Sequence, residues 1–145
     1  MKFVIQRVKQ SNVKVSNNTV GEISKGLVVF VGISTEDTIS TADYMVNKLL
    51  NLRIFEDING KMNMSLLNIN ADILIVSQFT LYADCSSGNR PSFTKAAKPD
   101  YAENLYNYIV KKISENVSNV GCGIFGANME VSLINDGPVT IILEK

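Results

Sequence analysis

Ser77-Gln78-Phe79-Thr80-Leu81 places two hydroxyls and an amide within five residues, directly after the apolar run Ile73-Leu74-Ile75-Val76. Where a buried strand leaves a core, such side chains and their backbone N–H groups converge. A point of that kind can hold an ester carbonyl and the negative charge that develops on its oxygen during attack. The plainer reading of the same residues is an edge strand whose hydroxyls satisfy neighbouring backbone. Ser and Thr are weak nucleophiles unless a base activates them.

Two further stretches combine stiffness with polarity. Asn135-Asp136-Gly137-Pro138-Val139-Thr140 contains an X-Pro bond, which takes the cis form at a cost of only about 0.5–1 kcal/mol and then redirects consecutive carbonyls. A simple turn accounts for the same residues. Gly88-Asn89-Arg90-Pro91-Ser92-Phe93 is a rigid loop carrying one of three arginines. It suits a phosphate contact or the ordering of a neighbouring loop, and equally an ordinary surface loop.

The 145-residue chain contains no histidine and no tryptophan. Without histidine there is no Ser-His-Asp or Cys-His nucleophile, no imidazole acid–base step and no imidazole metal ligand. Chemistry here must use carboxylates, hydroxyls, amides, backbone groups or the substrate itself. The carboxylate pairs Glu36-Asp37 and Glu56-Asp57 lie in polar, turn-like sequence and lack the separated acid–base arrangement of a glycosidase. Cys85 and Cys122 have no CxxC spacing and are too few for a disulfide framework or a metal site. No nucleotide-binding glycine loop and no GxSxG elbow occurs. Neither a cofactor nor a metal is expected.

Fourteen basic residues balance fourteen acidic ones, so the chain carries no global signature for nucleic acid. The charge is nonetheless uneven. Residues 1–25 hold five basic residues against one acidic, and residues 86–98 hold Arg90, Lys95 and Lys98 with no acid. Two solvated faces would suffice to explain this. Met1–Val8 alternates apolar and polar residues and does not resemble a signal peptide. The run Leu27–Val31 is far short of a membrane span. The expected setting is a soluble, cytoplasmic protein with no membrane partner.

The elements that must position these residues follow from periodicity. A single domain over residues 1–145 is expected. Phe3/Ile5 and Val13/Val15 show the period-two spacing of strands, with Asn17-Asn18 as a tight turn before Val20. Leu27–Ile33 and Ile73–Val76 suit central strands buried on both faces. Ile39, Ala42, Met45, Val46 and Leu49 repeat at helical spacing, with Ser40 and Asp43 as a candidate capping box. Asp57–Gly60 reads as a turn and 84–98 as loop. A second helix begins near Pro99 and runs toward Val117. Gly121 and Gly123 break the chain before strands at Met129–Ile134 and Val139–Leu143. The order is β-β-β-β-α-β-α-β-β. Two helices cannot cover both faces of a large sheet, so an α+β fold is expected, with a curled, partly barrel-like sheet and both helices packed outside.

The residues also resemble a known family from end to end. SQFTL at Ser77–Leu81 and NxGPVT at Asn135–Thr140 are similar to the two motifs of the D-aminoacyl-tRNA (D-tyrosyl-tRNA) deacylases. Gln6-Arg7-Val8, Asn51–Phe55, Gly88–Phe93 and Phe125-Gly126-Ala127 add ordered support. The resemblance implies a hydrolase that cleaves the ester joining a D-amino acid to the 3′ end of tRNA. It implies a homodimer with the active site at the subunit interface. A cis Gly137-Pro138 pair of one chain would then face Ser77, Gln78, Phe79 and Thr80 of the other. Arg7 would hold that turn, and Phe125 would help line a pocket for the terminal adenosine. A related branch of the family has a trans Gly-Pro bond; the intact SQFTL and Arg7 favour cis here.

The chemistry fits these roles. Backbone carbonyls of a Gly-Pro pair can accept from the substrate's ammonium group. With ammonium and ester carbonyl pinned, a D side chain points to open space and an L side chain strikes the Gly-Pro backbone. Glycine offers nothing to reject, so glycyl-tRNA is an expected substrate, including glycine mischarged on tRNA(Ala). Either Thr80 attacks, or the adjacent ribose 2′-hydroxyl assists hydrolysis while the protein supplies position and oxyanion stabilisation. The absence of histidine favours the second. Two other classes compete: a nucleic-acid-binding protein, as in relatives linked to DNA replication whose extra C-terminal tail is lacking after Lys145, and an esterase acting on a small metabolite. Contact with the tRNA acceptor end is expected through local patches such as Arg90–Lys98, with a shallow salt dependence.

Overall fold

The computed structural model describes all 145 residues. Its first strand, β1, is a single 14-residue run from Lys2 to Val15, where two shorter strands were expected. Register shifts fall between Gln6 and Val8 and between Val8 and Gln10. Each shift resets which residues point inward. Phe3 and Ile5 are buried, then Val8, then Ser11 and Val13. The alternation loses phase along a continuous strand, and the sequence therefore looks interrupted.

Next come β2 (Asn18–Ile23) and β3 (Gly26–Gly32). The β1–β2 turn places Ser16 and Asn17 at positive φ, a conformation that asparagine tolerates. Helix α1 spans Ile39–Leu50 and buries Ala42, Met45, Val46, Leu49 and Leu50. Its capping box is Thr38 with Thr41, two residues earlier than the expected Ser40 and Asp43. Thr38 is the last extended residue, so only its hydroxyl can reach the open amide of Thr41. The expected turn at Asp57–Gly60 joins a small hairpin, β4 (Phe55–Glu56) and β5 (Met62–Met64). Strand β6 follows at Asp72–Ser77, helix α2 at Pro99–Ser114 and the short β7 at Val120–Cys122.

The two closing strands expected at 129–134 and 139–143 are one strand, β8, from Glu130 to Glu144. It runs antiparallel to nearly the whole of β1 and carries the Gly137-Pro138 segment as an interruption of the register, not as its end. The Gly137-Pro138 peptide is cis.

The main sheet runs β2-β1-β3-β6-β7, with β8 on β1. The β3–β6 and β6–β7 pairs are parallel and the others antiparallel. The sheet curls until β2 meets β7. A Cβ added at Gly21 would lie 2.8 Å from the Cys122 carbonyl oxygen, so the bare glycine permits this near-closure. The fold is α+β, with a nearly closed, barrel-like sheet and two helices, as expected.

Alternation in β3 and β6 divides the core. Val28, Leu74 and Val76 join Val8, Val13 and Ile23 on one face of the sheet. Leu27, Val29, Val31, Ile73 and Ile75 pack on the other with α1 and α2. This double-sided burial puts β3 and β6 at the centre of the apolar core. No helix is long and apolar enough to cross a membrane.

Candidate active site

β3 and β6 are parallel, so their C-terminal ends emerge together. Val31 of β3, Ile33 just beyond its end, and Val76 and Ser77 of β6 open onto a cavity of about 670 Å³. The opposite wall comes from the start of α2 and from the segment leading into β8, which contributes Phe125, Gly126, Ala127, Asn128 and Met129. Tyr106 backs Phe125, with ring centroids 5.9 Å apart. The Tyr106 hydroxyl donates to the Ile75 carbonyl at 2.9 Å. Burial pushes this phenol far above its ordinary value of 10, so it remains a neutral donor bracing the wall.

The polar motif begins where β6 ends. The Gln78 amide donates to the Val31 carbonyl at 2.8 Å, tying the motif to β3. Residues Phe79–Tyr82 then form a 3-10 turn, not a continued strand. Ser77, Gln78 and Phe79 line the cavity. Phe79 meets Phe93 edge-to-face at 5.0 Å, a favoured aromatic geometry. Thr80 is exposed and does not line the cavity. Its Oγ1 accepts from Gln78 Nε2 at 2.5 Å. Lys98 is the one charged side chain on the cavity wall. The cavity therefore offers hydroxyl, amide and backbone donors among aromatic faces, with no carboxylate to act as base. No group of three or more Cys, Asp or Glu side chains is placed to hold a metal ion.

The second motif stands apart. Gly137 and Pro138 are exposed and line no part of that cavity. Asn135 explains the shape of their turn. Its Oδ1 accepts from the Val139 amide at 2.7 Å, and its Nδ2 donates to the Val139 carbonyl at 3.1 Å. One side chain thus stands in for a strand partner across the interruption. From below, the buried Arg7 donates from Nε to the Asp136 carbonyl at 3.0 Å and from Nη1 to the Ile54 carbonyl at 2.6 Å. The carboxylates of Asp136 and Glu56 lie 3.6 and 3.9 Å from the guanidinium. A planar, always-charged fork suits two diverging acceptors.

The structure thus unites Ser77, Gln78, Phe79 and Phe125, and separately unites Arg7, Gly137 and Pro138. Sequence reasoning did not find Asn128 and Met129 on the cavity wall, the Asn135 clasp, or the Ile54 carbonyl under Arg7. The clasp had a signal, since Asn four residues before Val139 spans a turn-like segment. Backbone acceptors leave none.

Together these features define a small α+β protein with a nearly charge-free cavity at the mouth of two parallel strands and an exposed, braced Gly-Pro turn elsewhere on its surface. The family model described as D-Tyr-tRNA(Tyr) deacylase matches residues 4–144. The chain is 54% identical to a D-aminoacyl-tRNA deacylase of Clostridioides difficile (strain 630), over all of this chain and 97% of that one. It is 53% identical to a D-aminoacyl-tRNA deacylase of Bacillus cytotoxicus, covering 99% of it. A solved structure described as c-Myc DNA Unwinding Element Binding Protein superposes with a TM-score of 0.95 at 42% identity, covering 100% of this chain and 99% of that one. A probable eukaryotic D-amino acid tRNA deacylase shares the fold, with a TM-score of 0.86 at 21% identity and coverage of 98% and 97%. The chain belongs to the D-Tyr-tRNA(Tyr) deacylase family. Ester hydrolysis on aminoacyl-tRNA, the activity expected from the sequence, is the activity that the relatives from Clostridioides difficile and Bacillus cytotoxicus carry in their names.

Proposed function

We propose that this protein hydrolyses the ester bond of D-aminoacyl-tRNA, releasing the free D-amino acid and tRNA, and that it spares L-aminoacyl esters. Glycyl-tRNA, including glycine mischarged on tRNA(Ala), is a substrate by the same logic. The working form is a cytoplasmic homodimer in which Gly137 and Pro138 of one protomer cap the cavity of its partner.

One observation carries this reading. The cavity has donors and aromatic faces but nothing to judge handedness, while an exposed, doubly braced Gly-Pro turn lies outside it in the same chain. A second copy supplies one to the other. The aromatic wall of Phe79, Phe93 and Phe125 suits the terminal adenine. The backbone donors after Ser77 suit the ester oxygen, and the Gly137 region suits the substrate's ammonium group. Rejection of an L side chain by backbone is a built-in clash and needs no recognising side chain. Hydrolysis proceeds by positioning, oxyanion stabilisation and the substrate's own 2′-hydroxyl.

The test is incubation with D-tyrosyl-tRNA and L-tyrosyl-tRNA, with sedimentation to give the oligomeric state. Loss of the D-ester alone, from a dimer, is the expected result. Release from both favours a general esterase, and release from neither favours a binding protein; each overturns the proposal.

A further inference from the structure

Lys98 is exposed, yet it contributes to the wall of the main cavity beside Pro99. It therefore stands at the rim. It makes no ion pair, not even with Asp100 two residues on. The neighbouring cations of the same loop are placed otherwise. Lys95 lines a separate polar pocket of about 370 Å³ with Lys2, Tyr82 and Asp84, and its charge helps hold the Asp84 carboxyl below the ordinary range, behind the larger effect of Ser86. Arg90 lines neither cavity.

A cavity of this volume is in the range that holds a small organic ligand. If an adenosine fills it, the attached phosphate cannot follow, because an unpaired anion does not enter an apolar wall. The phosphate must sit at the rim, where the wall carries one free cation. Building on the proposed function, we infer that Lys98 contacts the 5′-phosphate of the terminal nucleotide of the acceptor end. Lysine binds such a group as a point charge, without demanding planar geometry. The contact anchors the substrate and takes no part in bond breaking.

The experiment uses three D-tyrosyl esters: of adenosine, of adenosine 5′-monophosphate and of intact tRNA. Each is hydrolysed by the parent protein and by Lys98→Met and Lys98→Arg, at low and high salt. The expected result is a KM roughly fivefold higher for Lys98→Met with the two phosphate-bearing esters at low salt, as for a solvent-exposed charge pair. kcat and the adenosine ester are unaffected, Lys98→Arg restores KM, and the gap closes at high salt. Equal KM for parent and Lys98→Met on the monophosphate ester overturns the assignment, even if tRNA is affected, since the contact then lies elsewhere on the strand. An equal rise with the adenosine ester also overturns it, because the cavity itself has changed. If the parent cleaves none of the three, the proposed function fails first.

Discussion

The buried guanidinium of Arg7 joins two distant carbonyls, Asp136 at 3.0 Å and Ile54 at 2.6 Å. One belongs to the Gly-Pro turn and the other to the segment entering β4. Arg7 is thus the brace between the β4–β5 hairpin and the turn. Arg7→Met removes both charged donors and leaves two carbonyls without them. A loss of about 3 kcal/mol in stability is expected, from hydrogen bonds to a charged group worth about 1.5–3 kcal/mol each and partly replaced by water. Discrimination between D- and L-tyrosyl-tRNA falls by at least about tenfold, which is roughly 1.4 kcal/mol. Arg7→Lys recovers little, because a single ammonium cannot fork to both acceptors. Denaturant midpoints and the ratio of kcat/KM for the two esters check this. An unchanged ratio would show that the turn keeps its place without Arg7.

Gly137 sits at φ 139°, a region that side chains rarely adopt. A Cβ there would lie 2.7 Å from Val139 Cγ2 and 3.0 Å from the Val139 amide nitrogen. The same amide donates to Asn135, so the clash would break the clasp. Gly137→Ala should cost about 1–3 kcal/mol in stability and most of the hydrolysis of D-esters. Asn135→Ala should do the same more mildly, since water can replace part of the clasp. Thermal melts together with single-turnover rates separate the two effects. Full activity of Gly137→Ala would mean that the turn does not meet substrate.

Much of this architecture was legible because buried strands and amphipathic helices write their period into the sequence. β3, β6, α1 and α2 fall where Leu27–Ile33, Ile73–Val76, Ala42–Leu49 and Ala102–Ile113 point. β1 looks like two strands because register shifts reset its inward face, and β8 because the unpaired stretch 136–139 interrupts its ladder with β1. β7 has three residues, one of them Gly121, and shows no period at all. The site was harder. Ser77 and Phe125 share a cavity only because β3 and β6 are parallel and the chain returns from β7 across their ends. No spacing rule places residues that far apart in one wall. It was resemblance to family motifs, not local chemistry, that singled out Arg7 and Phe125.

The Gln78–Thr80 hydrogen bond bears on the hydrolytic step. Gln78 Nε2 donates into the Thr80 hydroxyl oxygen, which draws electron density away from the atom that would attack. No carboxylate lines the adjacent cavity to take its proton. Thr80→Ala should therefore stay within about threefold of the parent rate, a difference of less than 1 kcal/mol in barrier. A D-tyrosyl-tRNA ending in 2′-deoxyadenosine should react at least about a hundredfold more slowly, the scale of a lost general acid–base partner. Single-turnover hydrolysis of both substrates by both proteins tests the pair. A dead Thr80→Ala with a reactive deoxy substrate would make Thr80 the nucleophile.

Alkaline pH should expose the wall behind the cavity. Burial raises the phenols of both Tyr106 and Tyr82, the latter to about 12. Both are neutral when folded well above pH 10, whereas in the unfolded chain they ionise near 10. The unfolded state therefore binds fewer protons above that point, and stability falls as pH rises. The stabilisation is fully present below pH 10 and is lost as pH climbs from about 10 through the folded values. Tyr82 is partly exposed, so Tyr106 should carry most of the fall. Tyr106→Phe removes one titrating group and one of the two donors to the Ile75 carbonyl, the other being the Gly123 amide. It should lower stability by about 1 kcal/mol at neutral pH and flatten the decline between pH 10 and 12. Melting temperatures of parent and variant from pH 7 to 12 provide the check. Parallel curves would mean that the Tyr106 hydroxyl does not stay neutral in the folded wall.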